Sequence, residues 1–469
     1  MEPLGLREHL EHPTGRGAGG AHAGVAGGAI CGDLVEVRVT VEGDRVTAAG
    51  FDASGCGAAQ AAGSAAVHLV RGERLLDAAR VGSAAIAAEL GGLSPGKLHA
   101  ADLASDALHQ ALGAAARAGA ALAPDAGRTL VAMSGGVDSA VAALLVARDG
   151  REAVAVTLEL WRDPDNDAEA SCCSASAVRA ARAVAHGLGL AHLTLDLRAE
   201  FRAGVVQPWL DDHARGLTPN PCVRCNGHVR LDAMVELADA LGAADLATGH
   251  YARKTADGLL RFAADPAKDQ TYMLAATAPA TLARLRFPLA ELTKPEVRAL
   301  AAEAGLAVAA KKESQDLCFL AGTGRAAFLA KHGAQGDVPG AILDAAGVRV
   351  GAHPGQHHFT VGQRKGIGVA AAEPLYVLRT DPAANTVTVG PRDALRTDRV
   401  AVRGAVLHRS PDEVEAVKLR YRSKALPCRV EGDGPELVLH LGEPVLGAAP
   451  GQAAVLLRGD AVVGVGTIA

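Results

Sequence analysis

The sequence predicts a multidomain chain: an α+β segment at the N-terminus, an α/β domain built on a parallel sheet, a small middle domain and a C-terminal β-barrel. Three observations predict it. Leu34 to Val41 alternates strictly, with Val35, Val37, Val39 and Val41 apolar between Glu36, Arg38 and Thr40, and Ala-rich helical text follows it. From Leu130 onward, buried-strand and helix patterns take turns, as they do where helices cover a parallel sheet. Beyond Cys318 the text becomes turn-rich, and short alternating runs fill Val400 to Ala469.

The expected divisions are a lead-in (1–28), the α+β domain (29–117), a linker (118–127), the α/β domain (128–325), the middle domain (326–398) and the barrel (399–469). A length of 469 residues agrees with a prior of roughly three domains. Hydrophobic residues make up 49% but aromatic ones only 3%, so alanine and other small residues must fill the cores.

A formal charge of -5 excludes a globally basic nucleic-acid binder; any such partner must be held by local patches. No apolar run reaches spanning length, and the N-terminus, with Glu2, Glu8 and Glu11, lacks the regions of a signal peptide. The expectation is a cytoplasmic protein with no membrane partner, whose eight cysteines are reduced and serve chemistry, metal or core.

In chain order, the lead-in is rich in Gly, His and Pro. The strand Leu34–Val41 turns at Gly43-Asp44 into a second strand, Arg45 to Phe51, and helical segments run from Gly55-Cys56-Gly57 to about Arg117. The segment resembles the IscU/NifU type of iron–sulfur scaffold through Gly28-Ala29-Ile30-Cys31-Gly32-Asp33, Gly55-Cys56-Gly57 and Pro95-Gly96-Lys97-Leu98-His99. The resemblance implies a site of Cys31, Asp33, Cys56 and His99, able to hold zinc or an iron–sulfur cluster, but Ala100 stands where the family has its third cysteine. The alternative is a vestigial docking domain with Cys31 and Cys56 as ordinary buried residues.

Leu130 to Met133 reads as a short buried strand followed by Ser134-Gly135-Gly136-Val137-Asp138-Ser139 and a helix. The free N–H groups of such a turn converge at a helix N-terminus, where the dipole adds roughly half a positive charge. That point suits a phosphate. Gly135 and Gly136 allow close approach, Ser134 and Ser139 supply hydroxyls, and Asp138 can orient Mg²⁺ or the loop. No Walker lysine follows, and SGGVDS resembles the loop of the ATP pyrophosphatases. Ala132 and Met133 complete the expected ATP contacts. Further strands, Ala153–Leu158 and Ala191–Leu195, flank a helix over Ala175–Leu188, and Leu158 and Gly249 at later strand ends are expected to join the site.

Thr218-Pro219-Asn220-Pro221-Cys222-Val223-Arg224-Cys225-Asn226 reads as an extended loop fixed by its prolines, presenting both cysteines. Arg224, His228 and Arg230 favour thiolate over thiol, whose unperturbed pKa is about 8.5. Taken alone, the C-x-x-C is a redox pair, half a metal site or a core coincidence. Cys172-Cys173 and Cys428 read as core.

With Ala247-Thr248-Gly249-His250-Tyr251-Ala252-Arg253, Lys268-Asp269-Gln270-Thr271-Tyr272 and Glu313-Ser314-Gln315-Asp316-Leu317-Cys318, these segments are similar, in order and spacing, to the tRNA 2-thiouridylase family MnmA. The match extends through Gly362-Gln363-Arg364-Lys365 and covers about 128–469. The resemblance implies adenylation of the C2 oxygen of the wobble uridine by ATP, with Mg²⁺, and sulfur transfer from a persulfide on Cys318 with Cys225 as partner cysteine. Many members carry Asp where Cys222 stands. Cys222, Cys225 and Cys318 as ligands of a cluster form the alternative, and a sulfur-relay scaffold is a third reading. The implied partners are tRNA and a persulfide donor such as a cysteine desulfurase. The expected tRNA contacts are Asn220, Pro221, Cys222, Lys268, Asp269, Gln270, Gln363, Arg364, Lys365, Arg420 and Tyr421.

Overall fold

The computed structural model describes residues 3–27, 32–163, 174–311, 317–333 and 336–469. Cys31, Cys172, Cys173 and the Glu313–Asp316 part of the last motif lie outside the described residues. The chain divides into two compact units, 1–199 with 232–250 and 284–319, and 200–231 with 251–283 and 320–469. Among the described residues no helix is long and apolar enough to cross a membrane.

The first unit begins with helix α1 (Gly5–Glu11) and an antiparallel sheet of β1 (His22–Gly27), β2 (Leu34–Glu42) and β3 (Arg45–Ser54). The alternation legible in β2 is real: Val35, Val37, Val39 and Val41 face the core. Helices α2 (Gly57–Val70), α3 (Leu75–Ala78), α4 (Ser83–Glu89) and α5 (Leu98–Gly119) cover it. Alanines do most of the packing, as the low aromatic content requires.

Two expectations are corrected here. Residues 3–27 of the expected lead-in are not loose: His9 of α1 is buried against Ser64, and β1 pairs with β2 from His22↔Val39 to Gly27↔Leu34. Gly24 lies so close to α5 that a Cβ would stand 2.0 Å from the Ala107 carbonyl oxygen, so the glycine that reads as loop is what lets this strand pack. Nor is 118–127 a free linker. Ala121 N–H donates to Gly43, Leu122 N–H donates to Ala240, and the next strand, β4, already starts at Asp125.

That strand, β4 (Asp125–Ala132), opens a five-stranded parallel sheet with β5 (Glu152–Glu159), β6 (Ala191–Asp196), β7 (Ala243–Ala247) and Leu285–Arg286. From edge to edge the order is Leu285–Arg286, β7, β4, β5, β6. Helices α6 (Val137–Arg148) and α7 (Ala175–Gly187) pack on it through Ala140, Ala143, Val146, Ala181, Val184 and Ala185. Chain order runs β4–β5–β6 to one side and then crosses to β7 on the other. The crossing point lies at the carboxyl end of β4, where ligands of such sheets bind.

In the second unit, Gly340–Leu343, Arg349–His353, Tyr376–Asp381 and Thr386–Gly390 form the four-stranded sheet of the middle domain, around Ile342, Phe359, Val377, Val387 and Val389. The last six strands, from Arg396–Leu407 to Ala461–Ile468, close into a barrel because the first and last pair with each other. Val402, Leu439, Leu456 and Val463 are among the residues that fill it.

Candidate active site

The loop after β4 is braced by its own serines. Ser134 N–H donates to Ser139 Oγ at 3.1 Å, and Ser139 Oγ donates to the Gly136 carbonyl at 3.1 Å. Gly135 takes φ +69°, and a Cβ there would stand 2.6 Å from the Ala177 carbonyl oxygen at the start of α7, so only glycine fits. Gly136 caps α6 in extended conformation, leaving the first N–H groups of a 12-residue helix available at the loop. Gly249 arrives after β7 so close to α6 that a Cβ would stand 2.7 Å from Ser139 N and 2.9 Å from the Asp138 carbonyl carbon. Ala132 ends β4 and Met133 follows it, Met133 N–H donating to the Val156 carbonyl on β5, and Leu158 lies buried near the end of β5. The residues expected at an ATP site are thereby gathered at one switch point.

Asp138 has a partner that sequence reading missed. Lys294 Nζ lies 2.6 and 2.7 Å from its two carboxylate oxygens, and Lys311 Nζ donates to the Gly135 carbonyl at 2.9 Å. Lys294 thus holds the Asp138 carboxylate at the first turn of α6, beside the loop. A local signal for Lys294 does exist. It occupies the first turn of Lys294–Glu303, a helix closed by a Thr293/Glu296 capping box, where the macrodipole disfavours a cation.

Asn220 to Asn226 corrects the extended-loop expectation. Pro221–Cys225 is a short helix, because proline is compatible with the first helical position, and Asn220 Oδ1 accepts from Cys222 N–H and Val223 N–H. Cys222 is half-buried and Cys225 is buried, so the pair is not presented alike. The chain continues into a π-helical turn, Asn226–Arg230, and Asn226 Nδ2 donates to the Met273 carbonyl at 3.0 Å. Arg224 Nε donates to the Gly204 carbonyl. Cys318, in the first unit, is half-buried in a turn beside Phe319, whose ring meets Trp161 edge-on at 6.4 Å.

The expected tRNA contacts differ in character. Asp269 is buried, accepting from Ala263 N–H and Thr271 Oγ1, and Gln270 Oε1 accepts from Tyr251 N–H. Both side chains are committed to the loop. Gln363 braces its own turn through Thr360 N–H and the Lys365 carbonyl, which leaves Arg364 and Lys365 exposed. Arg420 is exposed, donating to the Gly447 carbonyl at 2.7 Å. Burial, with Asp269 and Cys222 as nearby negative groups, raises the pKa of Tyr421, which groups Tyr421 with Cys222 and Lys268.

At the N-terminal site Asp33 is the hub. Its Oδ1 accepts from Cys56 N–H at 2.8 Å, while its Oδ2 lies 3.3 Å from Cys56 Sγ and 3.0 Å from His99 Nε2. The Cys56 amide, then His99, hold its carboxyl below the usual carboxylate range. The three ligand atoms lie within 4.8 Å of one another, a donor set that fits zinc with a position left open. Ala100, at the place of the family's third cysteine, is fully buried.

Profiles of known families divide the chain in the same manner: a NifU-like N terminal domain at 6–118, a tRNA methyl transferase HUP domain at 127–322, a tRNA methyl transferase PRC-barrel domain at 326–391 and an aminomethyltransferase beta-barrel domain at 396–468. The chain is 44% identical to the "Bifunctional protein NifU/MnmA" of Rubrobacter xylanophilus, across 98% of its own length and 97% of that protein's. It belongs to the MnmA family, in the form fused to a NifU-like domain. The MnmA part alone is 42% identical to the tRNA-specific 2-thiouridylase MnmA of Methylorubrum extorquens, covering 74% of this chain and 94% of that one. For the MnmA of Thermus thermophilus the identity is 44%, over 72% and 93%. The NifU/MnmA architecture accounts for the α+β domain that precedes the ATP-pyrophosphatase-like sheet.

Proposed function

We propose that the chain performs ATP-dependent 2-thiolation of the wobble uridine of tRNA through a cysteine persulfide. The observation that carries this reading is the meeting of Ser134–Ser139 with Gly249 at the switch point of a parallel sheet, in a chain of this family. The uridine C2 oxygen attacks the α-phosphorus of ATP and pyrophosphate leaves. Amides of the Gly135–Ser139 turn stabilise the charge that develops on the phosphates. Mg²⁺ carried on the triphosphate supplies charge neutralisation. The terminal sulfur of a Cys318 persulfide, loaded by an external donor, then displaces AMP from C2. Cys225 thiolate takes up the Cys318 sulfur as a disulfide, which an external thiol reduces, or attacks the persulfide earlier to free sulfide.

The Cys222–Cys225 spacing of one turn favours a second reading, a cluster held by these thiols with Cys318. At the N-terminal site, Asp33, Cys56 and His99 support zinc or a cluster, read out as metal lost from the full chain on Cys56→Ser.

Mass spectrometry of tRNA nucleosides tests the main reading. Purified protein with ATP, Mg²⁺ and a persulfide donor is expected to form 2-thiouridine, and Cys318→Ser is expected to retain pyrophosphate release without it. Unmodified tRNA with the parent protein would remove the proposal.

A further inference from the structure

We propose that Asp337, His357 and His358 form a zinc-type divalent metal site in the middle domain. The three sit in one short span of the second unit: Asp337 just ahead of the strand Gly340–Leu343, the histidines in the 3-10 turn Gln356–His358. His358 Nε2 lies 2.7 Å and His357 Nε2 lies 3.3 Å from the same oxygen, Asp337 Oδ1. All three donor atoms fall within 4.8 Å of one another, and the imidazole rings are 4.2 Å apart at 42°. Zinc bonds of about 2.0–2.1 Å at tetrahedral angles separate neighbouring ligand atoms by about 3.3 Å, so a small opening of the His358–Asp337 contact admits the ion.

A separate observation points to a ligand. His357 is only 8% exposed, and its Nε2, shut off from solvent and aimed at Asp337, makes no hydrogen bond. Asp337 Oδ1 already accepts from His358. A buried imidazole nitrogen held only by a 3.3 Å contact to an oxygen already engaged by His358 is poorly satisfied, and a metal bond would satisfy it.

The backbone is shaped to the site. A Cβ on Gly355 would stand 2.6 Å from His357 Cε1 and 3.4 Å from Asp337 Oδ1, so glycine lets the chain close beneath the donors. Arg325 donates to the His358 carbonyl and to Thr360 Oγ1, holding the far side of the turn. Two imidazoles and one carboxylate select zinc-like ions over Mg²⁺ and Ca²⁺. Bound metal would tie the Asp337 segment to the turn that leads into Thr360–Lys365, the loop bearing the exposed Arg364 and Lys365. The role is a clamp, independent of sulfur chemistry.

The test uses the full chain with Cys56→Ser and His99→Ala, which removes the N-terminal donors. After chelation and equilibration with zinc alone, this background is expected to hold one more zinc per chain than the same protein with Asp337→Asn, and zinc is expected to raise its Tm. His357→Ala should weaken zinc at least about tenfold. Asp337→Asn, at an exposed position, serves where the histidine variant does not fold. Equal zinc contents, with no zinc-dependent Tm shift in the background protein, would overturn the assignment.

Discussion

Lys294 Nζ bridges both carboxylate oxygens of Asp138, at 2.6 and 2.7 Å, across 156 residues of sequence. Lys294 is 8% exposed, so the pair is a partly desolvated strut under the ATP loop. Lys294→Met removes this ion pair and lets the loop shift. We expect ATP-dependent pyrophosphate release to fall roughly 10- to 100-fold, with Lys294→Arg recovering part of it. Wild-type release from the Met variant would show that the strut does not position the loop.

Asp106 of α5 accepts from Arg179 Nε at 2.7 Å and from Arg182 on α7, and so ties the NifU-like domain to the ATP domain within one unit. Nearby, Gly113 approaches β6 so closely that a Cβ would stand 1.9 Å from the Thr194 carbonyl oxygen. Asp106→Ala strands Arg182, which is 4% exposed, and should cost about 3 kcal/mol. Calorimetry should then resolve a separate, earlier transition for the N-terminal domain. If a joint transition persists at the parent Tm, the strut is not what docks the domains.

The same interface should be acid-sensitive. His109, His186 and His192 lie with ring centroids 5.3–6.3 Å apart beside Arg182. Burial foremost lowers all three pKa values; His109 has both nitrogens against carbonyl oxygens, which favours its cation, but burial outweighs that. Folded-state values below the unfolded value of about 6.5 mean that unfolding takes up protons. Stability is therefore complete above about pH 6.5 and falls below it, by up to about 1.4 kcal/mol per pH unit for each proton. Denaturant titrations between pH 7.5 and 5.5 measure the slope, and His192→Gln should reduce it by one proton. An unchanged slope would rule out this histidine as a contributor.

The parallel sheet, the barrel and the glycine loop were legible because each depends on local periodicity or on turn chemistry, as in β2 and at Gly135. What stayed hidden depends on tertiary approach. β1 looks like loop because Gly24 must meet α5, and Lys294 and Lys311 join the loop from 156 and 176 residues away. The prolines around Asn220 read as a block to helix, whereas Pro221 at the first position starts one. The burial of Asp269, and the backbone N–H groups that Asp269 and Gln270 accept from, depend on the fold and leave no local signal.

That distinction yields a contrast in tRNA binding. Arg364→Glu with Lys365→Glu, both at exposed positions, should weaken tRNA about tenfold or more, flatten the salt dependence and leave ATP affinity unchanged. Asp269→Asn should instead lower Tm, since it weakens the bonds to Ala263 and Thr271. Filter binding across a salt series separates the two; a tRNA affinity insensitive to Arg364 and Lys365 would exclude this loop from the interface.

Cys222 distinguishes persulfide from cluster chemistry, because the cap that places its short helix engages its backbone N–H. The Asn220 cap engages the Cys222 backbone N–H, so Cys222→Ala keeps the short helix and the placement of Cys225, whereas Asn220→Ala gives up about 1 kcal/mol of capping and displaces both thiols. In the persulfide route Cys222 is dispensable, and the alanine variant should keep 2-thiolation within about tenfold of the parent; a loss of about 100-fold or more with unchanged iron would instead assign Cys222 to proton transfer. In the cluster route the loss of one of three ligands abolishes it. We expect retained activity and no variant-dependent loss of iron from anaerobically purified protein. Loss of both together would transfer the reaction from Cys318 sulfur to a cluster.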